Sequence, residues 1–328
     1  MKKVLLSLAL IGAAGMSVTA CTEISNGGNG FNEANNVTLY SREAGSGTRE
    51  CFFEGIGYGD VKKEDKWNRG VNVQSVSSNG DIMTKVGQDV NAIGYCSLDS
   101  LEDGTNIKGL QYDGVTASEE TAVDGSYKLK RNFNYVVRAD SDYEAGSDIL
   151  LAKNAFVAYM TQSKEGLLTI QANGGIINTK VLSIADATSW SELSKKFEGL
   201  NEIEAVTLNA CGSTSVEKVL NGLASEFKTL TNNKVTVKPN QSGSGDAVTG
   251  VTEGKNNTKY DLGFLSREIE DEELDSLTKE NKHGAICIDA VVPIVNSANT
   301  VLTNTTADLL TKIYKGELKT WADVKAAL

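Results

Sequence analysis

Between Val37 and Ser97, and again between Ala205 and Ser266, the chain runs twice through one order of apolar and polar positions. Val71-Asn-Val-Gln-Ser-Val76 and Val235-Thr-Val-Lys238 alternate apolar with polar residues, which predicts strands. Each leads into a turn of small residues, Asn79-Gly80-Asp81 or Ser244-Gly245-Asp246, then a predicted helix with Val86 or Val251 at equivalent places. Each unit closes on a second strand, Ile93–Ser97 or Leu262–Ser266. Upstream of both lies a short strand (Val37–Tyr40, Ala205–Leu208), a Gly/Ser-rich turn and a further helix, Glu50–Gly55 or Val216–Leu230. Strand, loop and helix therefore alternate through each half. That order predicts an α/β fold of two similar lobes, each a mainly parallel sheet flanked by helices, with a ligand cleft between them.

The first twenty residues depart from this pattern. Lys2 and Lys3 precede an apolar run, Val4–Ala14, too short to span a bilayer, and small residues follow up to Cys21. Residues 1–20 therefore read as a signal peptide. Val18-Thr-Ala-Cys21 fits an ordinary signal-peptidase site and also a bacterial lipoprotein box, in which Cys21 carries the lipid. The second reading anchors the protein to the membrane without spanning it. Residues 21–35 then form a Gly/Asn-rich flexible tether.

Composition narrows the chemistry. With 43 acidic against 32 basic residues, the chain is a poor partner for nucleic acid or an anionic bilayer. Any anion must be held by local geometry. Cys51, Cys96, Cys211 and Cys287 match no zinc spacing and read as buried free thiols, although an exported chain also permits a disulfide. His283 is the only histidine and lies in a polar loop before a strand, a solvated position, so a Ser-His-Asp site, which would need it, is not expected. No G-x-S-x-G elbow surrounds Ser46 or Ser244. No enzyme, cofactor, catalytic residue or metal ligand is expected.

Three loops carry donors suited to an anion: Ala44–Thr48, Gly212–Ser215 and Ser242–Gly245. At the carboxyl end of a parallel strand, small residues bring backbone N–H groups of a helix start up to a ligand, and Ser and Thr add hydroxyls. Arg42, at a strand end four residues before Ser46, supplies a guanidinium fork for a tetrahedral oxyanion. Arg49 and Arg267 read as structural.

Ser41-Arg-Glu-Ala-Gly-Ser-Gly-Thr-Arg49 resembles the signature of the periplasmic phosphate-binding proteins that serve phosphate ABC importers. Gly212-Ser-Thr-Ser-Val216, Ser242–Gly245, Asp261–Ile269, Ile93-Gly-Tyr95 and Tyr314–Trp321 resemble further segments of that family. The resemblance implies a type II periplasmic-binding-protein fold. It implies phosphate bound by Arg42, Ser46, Gly47, Thr48, Thr214, Ser215, Ser244 and Ser266, and a membrane permease as partner of a monomeric receptor. Ser266 falls where some members carry an aspartate that accepts a proton from the ligand, so sulfate or another oxyanion stays open, as does a sensor or adhesion role. The segment order differs from the family's usual one and reads as a circular permutation. It places Asn36 beside Leu328. Lobe A would comprise residues 36–125 with 288–328, and lobe B residues 126–287.

Overall fold

The computed structural model describes residues 30–44, 46–62, 64–254 and 259–328. The segment expected to be a signal peptide, and Cys21, lie outside them. The strands are β1 (Thr38–Arg42), β2 (Val73–Val76), β3 (Ala92–Ser97), β4 (Ile107–Gly109), β5 (Gln111–Tyr112), β6 (Lys130–Val137), β7 (Val206–Gly212), β8 (Val235–Gln241), β9 (Leu262–Leu265), β10 (His283–Asn296) and β11 (Asn304–Thr305). All but β5 and β11 join one sheet in the order β2-β1-β3-β10-β6-β9-β7-β8, with β4 on the end of β10.

The repeat legible in the sequence is a repeat of pairing. β1 lies between β2 and β3, parallel to both, and β7 lies likewise between β8 and β9. The expectation of mainly parallel sheets holds for these triplets only. β10 is antiparallel to β3, β4 and β6, and β6 is antiparallel to β9. The cause is β10 itself. Its 14 residues serve both halves, pairing with β6 through Ala290 and with β3 from Val291 onward.

Helices cover the sheet because their apolar residues recur at helical spacing. In Glu217–Leu230 the buried positions are Val219, Leu220, Leu223 and Phe227, one face of a 3.6-residue period. Ser46 and Ser78 accept from the backbone three residues on, capping the helices Gly47–Gly55 and Asn79–Gln88. The two largest buried apolar clusters divide along the sheet. One draws on residues between Phe133 and Cys287, the other on Leu39–Leu129, Ile176 and Ile288–Val324.

The chain start is fastened to the chain end. Asn36 bridges Thr320, the Val37 amide donates to Lys319 O at 2.8 Å, and Lys325 meets Glu33 at 2.6 Å. The tether expected over residues 21–35 is therefore not free throughout. Phe31 seats against the Trp321 ring, and the Trp321 amide donates to Asn35 O, so apolar burial and backbone pairing hold residues 31–35 in place.

Candidate functional site

The loops at the carboxyl ends of β1, β7, β8 and β9 converge on one point. From one half comes the start of the helix Gly47–Gly55, with Ser46 and Thr48 buried beside Gly47. From the other come Ser213–Ser215, Ser244 and Ser266. Ser213 Oγ donates to Ser266 Oγ at 2.7 Å, and Ser266 Oγ lies 3.2 Å from Ser244 Oγ. Thr48 Oγ1 faces Ser215 Oγ at 3.5 Å across the divide. A β-carbon on Gly47 would stand 2.0 Å from Ser266 Oγ and 3.0 Å from Ser215 Oγ, so only glycine lets the helix start come this close. The Gly47 and Thr48 amides belong to a first turn, where helix geometry supplies no acceptor. The result is a cradle of neutral donors at a positive helix end.

Arg131, at the start of β6, brings a charge to this cradle. Its Nε and Nη2 donate to Asp289 Oδ2 at 3.0 and 2.7 Å, and Nη2 also donates to Thr48 Oγ1 at 3.2 Å. Arg131 and Asp289 are both buried. Among the described residues Arg131 Nη1 is buried here without a hydrogen-bond partner, as is Thr214 Oγ1 in the loop before Ser215. Leaving such groups unpaired costs about 1–3 kcal/mol each, so the pocket is stabilised by whatever acceptor enters it.

Arg42 stands at the end of β1, as the sequence places it, but its fork is engaged. Nε and Nη2 donate to the Glu43 carboxylate at 3.0 and 2.9 Å, and Nη1 donates to Asn79 Oδ1 at 3.0 Å. Among the described residues no hydrogen bond joins its side chain to Ser46, Thr48, Thr214, Ser215, Ser244 or Ser266. The structure thus brings together Ser46, Gly47, Thr48, Ser215, Ser244 and Ser266, leaves Thr214 in the same loop as Ser215, and sets Arg42 at the end of β1, tied to Glu43.

The PBP superfamily domain matches residues 182–328. Phosphate-binding protein PstS 2 of Streptococcus pneumoniae serotype 4 is 33% identical to the chain, over 98% of it and 99% of the relative. The chain belongs to the phosphate-binding protein family. A Streptococcus agalactiae serotype V member, also called Phosphate-binding protein PstS 2, is 30% identical over 98% of both chains. A solved structure of a phosphate ABC transporter, phosphate-binding protein from Streptococcus pneumoniae TIGR4, superposes with a TM-score of 0.66 at 30% identity, covering 89% of this chain and all of that one. The alignments run end to end, so these family members share the segment order that the sequence suggested was permuted. Family members are substrate-binding components of ABC importers, not enzymes.

Within this family member, Arg49 and Arg267 take structural roles. Arg49 is fully buried, bonded to Asp65 at 2.8 Å and lying over the Trp67 ring; Arg267 pairs with Glu273 at 2.7 Å. His283 is exposed at the first position of β10. Cys51, Cys96, Cys211 and Cys287 are free thiols, and burial pushes the pKa values of Cys51 and Cys211 up to about 12. Sequence reasoning missed Arg131 and Asp289, and it placed Ser213 in a candidate anion loop without naming it as a site residue. A signal existed for the first two. Arg131 shares the buried phase of β6 with Phe133, and Asp289 is a lone carboxylate in an otherwise apolar Ile286–Val295 run.

Proposed function

We propose that this chain is an extracytoplasmic receptor for inorganic phosphate, serving an ABC importer and anchored by a lipid on Cys21. The observation that carries the reading is the juncture of the Ser46–Thr48 helix start with Thr214, Ser215, Ser244 and Ser266 from the other half of the sheet. The donors are short and neutral, Thr48 and Ser215 face each other across the juncture, and among the described residues Arg131 Nη1 is buried there without a partner. Gly47 supplies a backbone amide at the same point, and Arg42 supplies positive potential at its edge. A compact oxyanion with acceptors on every side suits this set.

The names of the relatives favour phosphate among oxyanions. Lobe A would take residues 36–125 and 288–328 and lobe B residues 126–287, a division supported by the two buried clusters, although Tyr127, Leu129 and Ile176 pack in the cluster of lobe A. Phosphate would meet one lobe first, and closure would complete the donors and exclude water. The permease would then recognise the closed form, one receptor copy at a time.

Thermal unfolding with phosphate, and separately with sulfate, tests this. At about 100 times the dissociation constant a ligand of the native state adds roughly 2.7 kcal/mol, a rise of several degrees. A rise with phosphate alone supports the reading. No rise with either anion, from a cooperatively folded sample, would turn it toward a surface module of the same fold.

A further inference from the structure

We infer that Arg131 is a direct anion ligand, its outer guanidinium edge held toward Gly47 by the Asp289 carboxylate. This rests on the phosphate reading above and adds to it a charged residue from the strand that joins the two halves. A guanidinium has two edges that can each grip an oxyanion. Arg131 gives one, Nε with Nη2, to Asp289. The other, Nη2 with Nη1, faces Thr48 and Gly47. Nη2 there reaches Thr48 Oγ1 at 3.2 Å, and Nη1 is buried without a partner, 2.8 Å from where a Gly47 β-carbon would stand.

Space adjoins the Arg131 side chain. Arg131 lines a cavity of about 80 Å³ together with Thr48, Ser215 and Asp289. This is room for a few waters or one small anion, and too little for an organic ester. Arg131 also lines the neighbouring cleft of about 320 Å³, which Ser266 borders. Arg131 therefore borders both spaces. Asp289 does not repel the ligand, because its Oδ2 is neutralised by the same guanidinium. Arg42 is committed to Glu43 and Asn79, and Lys218, which lines the same cavity, is paired with Asp99; among the described residues Arg131 is the cation hydrogen-bonded to Thr48 of the cradle.

Isothermal titration of the full chain with inorganic phosphate decides the matter, comparing the unaltered protein with two variants. Arg131→Lys keeps a charge for Asp289 but removes the outer edge. Arg131→Gln combined with Asp289→Asn removes both charges, so no carboxylate is stranded in the interior. Both are expected to bind phosphate about 10- to 100-fold more weakly, the span of one charge-assisted hydrogen bond. Their unfolding midpoints without phosphate report folding separately. Should the paired exchange fail to fold, Arg131→Lys decides alone. A cooperatively folded variant that binds phosphate within about twofold of the unaltered chain overturns the inference and leaves the phosphate reading intact. An unaltered chain that takes up no phosphate overturns the phosphate reading, and this inference with it.

Discussion

Ser266 Oγ occupies the space into which a β-carbon on Gly47 would project, 2.0 Å from that position. The contact joins a helix start in one half of the sheet to the end of a strand in the other. Gly47→Ala forces Ser266 or the helix start to give way, and Arg131 Nη1 at 2.8 Å blocks retreat on that side. The expected cost is about 1–3 kcal/mol of stability from overpacking, and the rise in melting temperature on adding phosphate should vanish. A Gly47→Ala protein with an undiminished phosphate shift would mean that the two halves do not meet here in the bound state.

Ser266 is also the hub of a hydroxyl chain, accepting from Ser213 and lying beside Ser244. Ser266→Ala leaves the buried Ser213 hydroxyl without its acceptor, while Ser244 Oγ keeps the Ser266 amide. Chemical denaturation should report a loss of about 1–3 kcal/mol, and phosphate affinity should fall about tenfold, one hydrogen bond's worth. Unchanged affinity with lowered stability would confine Ser266 to a packing role.

Trp321 is fully buried, and its Nε1 donates to Asn91 O at 3.1 Å while Phe31 lies against its ring. Trp321→Ala should cost about 3–5 kcal/mol in urea unfolding, because the cavity also loosens the joined chain ends. A loss below about 1 kcal/mol, the range of a surface change, would contradict the fastening of start to end.

Asp142 receives Lys259 Nζ at 2.8 Å and Arg138 Nε at 3.1 Å. Hydrogen bonding from Lys259 lowers its pKa, with burial acting the other way. Since the folded value lies below the unfolded one, about 3.9, the group stabilises the fold at higher pH. That contribution is lost as pH falls through the folded value. Unfolding midpoints measured from pH 6 down to pH 3 should drop below about pH 4, and the drop should be shallower in Asp142→Asn. Parallel curves for the two proteins would remove Asp142 from the acid response.

Cys51, Cys96, Cys211 and Cys287 have pKa values raised by burial. At pH 8 a thiol reagent should leave the buried Cys96, Cys211 and Cys287 unmodified in the native protein and label them once denaturant is added, while Cys51, part-exposed in the cleft, should react before them. Fast native labelling of any of those three would show that its surroundings open readily.

The repeated strand–loop–helix order was legible because each unit buries its own apolar face, and local periodicity records that. Val86 and Val251 pack at 0% exposure in equivalent helices. The donors of the cradle were legible for the same reason, since Ser46 and Ser244 sit at turns whose small residues announce them. Arg131 and Asp289 were not singled out, because their partnership spans 158 residues and depends on register between β6 and β10. Arg42 shows the converse limit. Its place at a strand end follows from pattern, but the capture of its fork by the adjacent Glu43 is a choice between rotamers that pattern does not encode.

β10 passes through both halves as one strand of 14 residues, with a register shift between Ala285 and Cys287. A link of this kind behaves as a torsion bar and not as a free joint. Turning one half against the other must wind the bar over several residues, and every ladder hydrogen bond along it resists. The swing available to the receptor is therefore graded by backbone stiffness around Ala290 and Val291, where the partner strand changes. Substituting glycine there should soften the bar and broaden the range of openings, a mechanical property that could be set without touching any group that meets the anion.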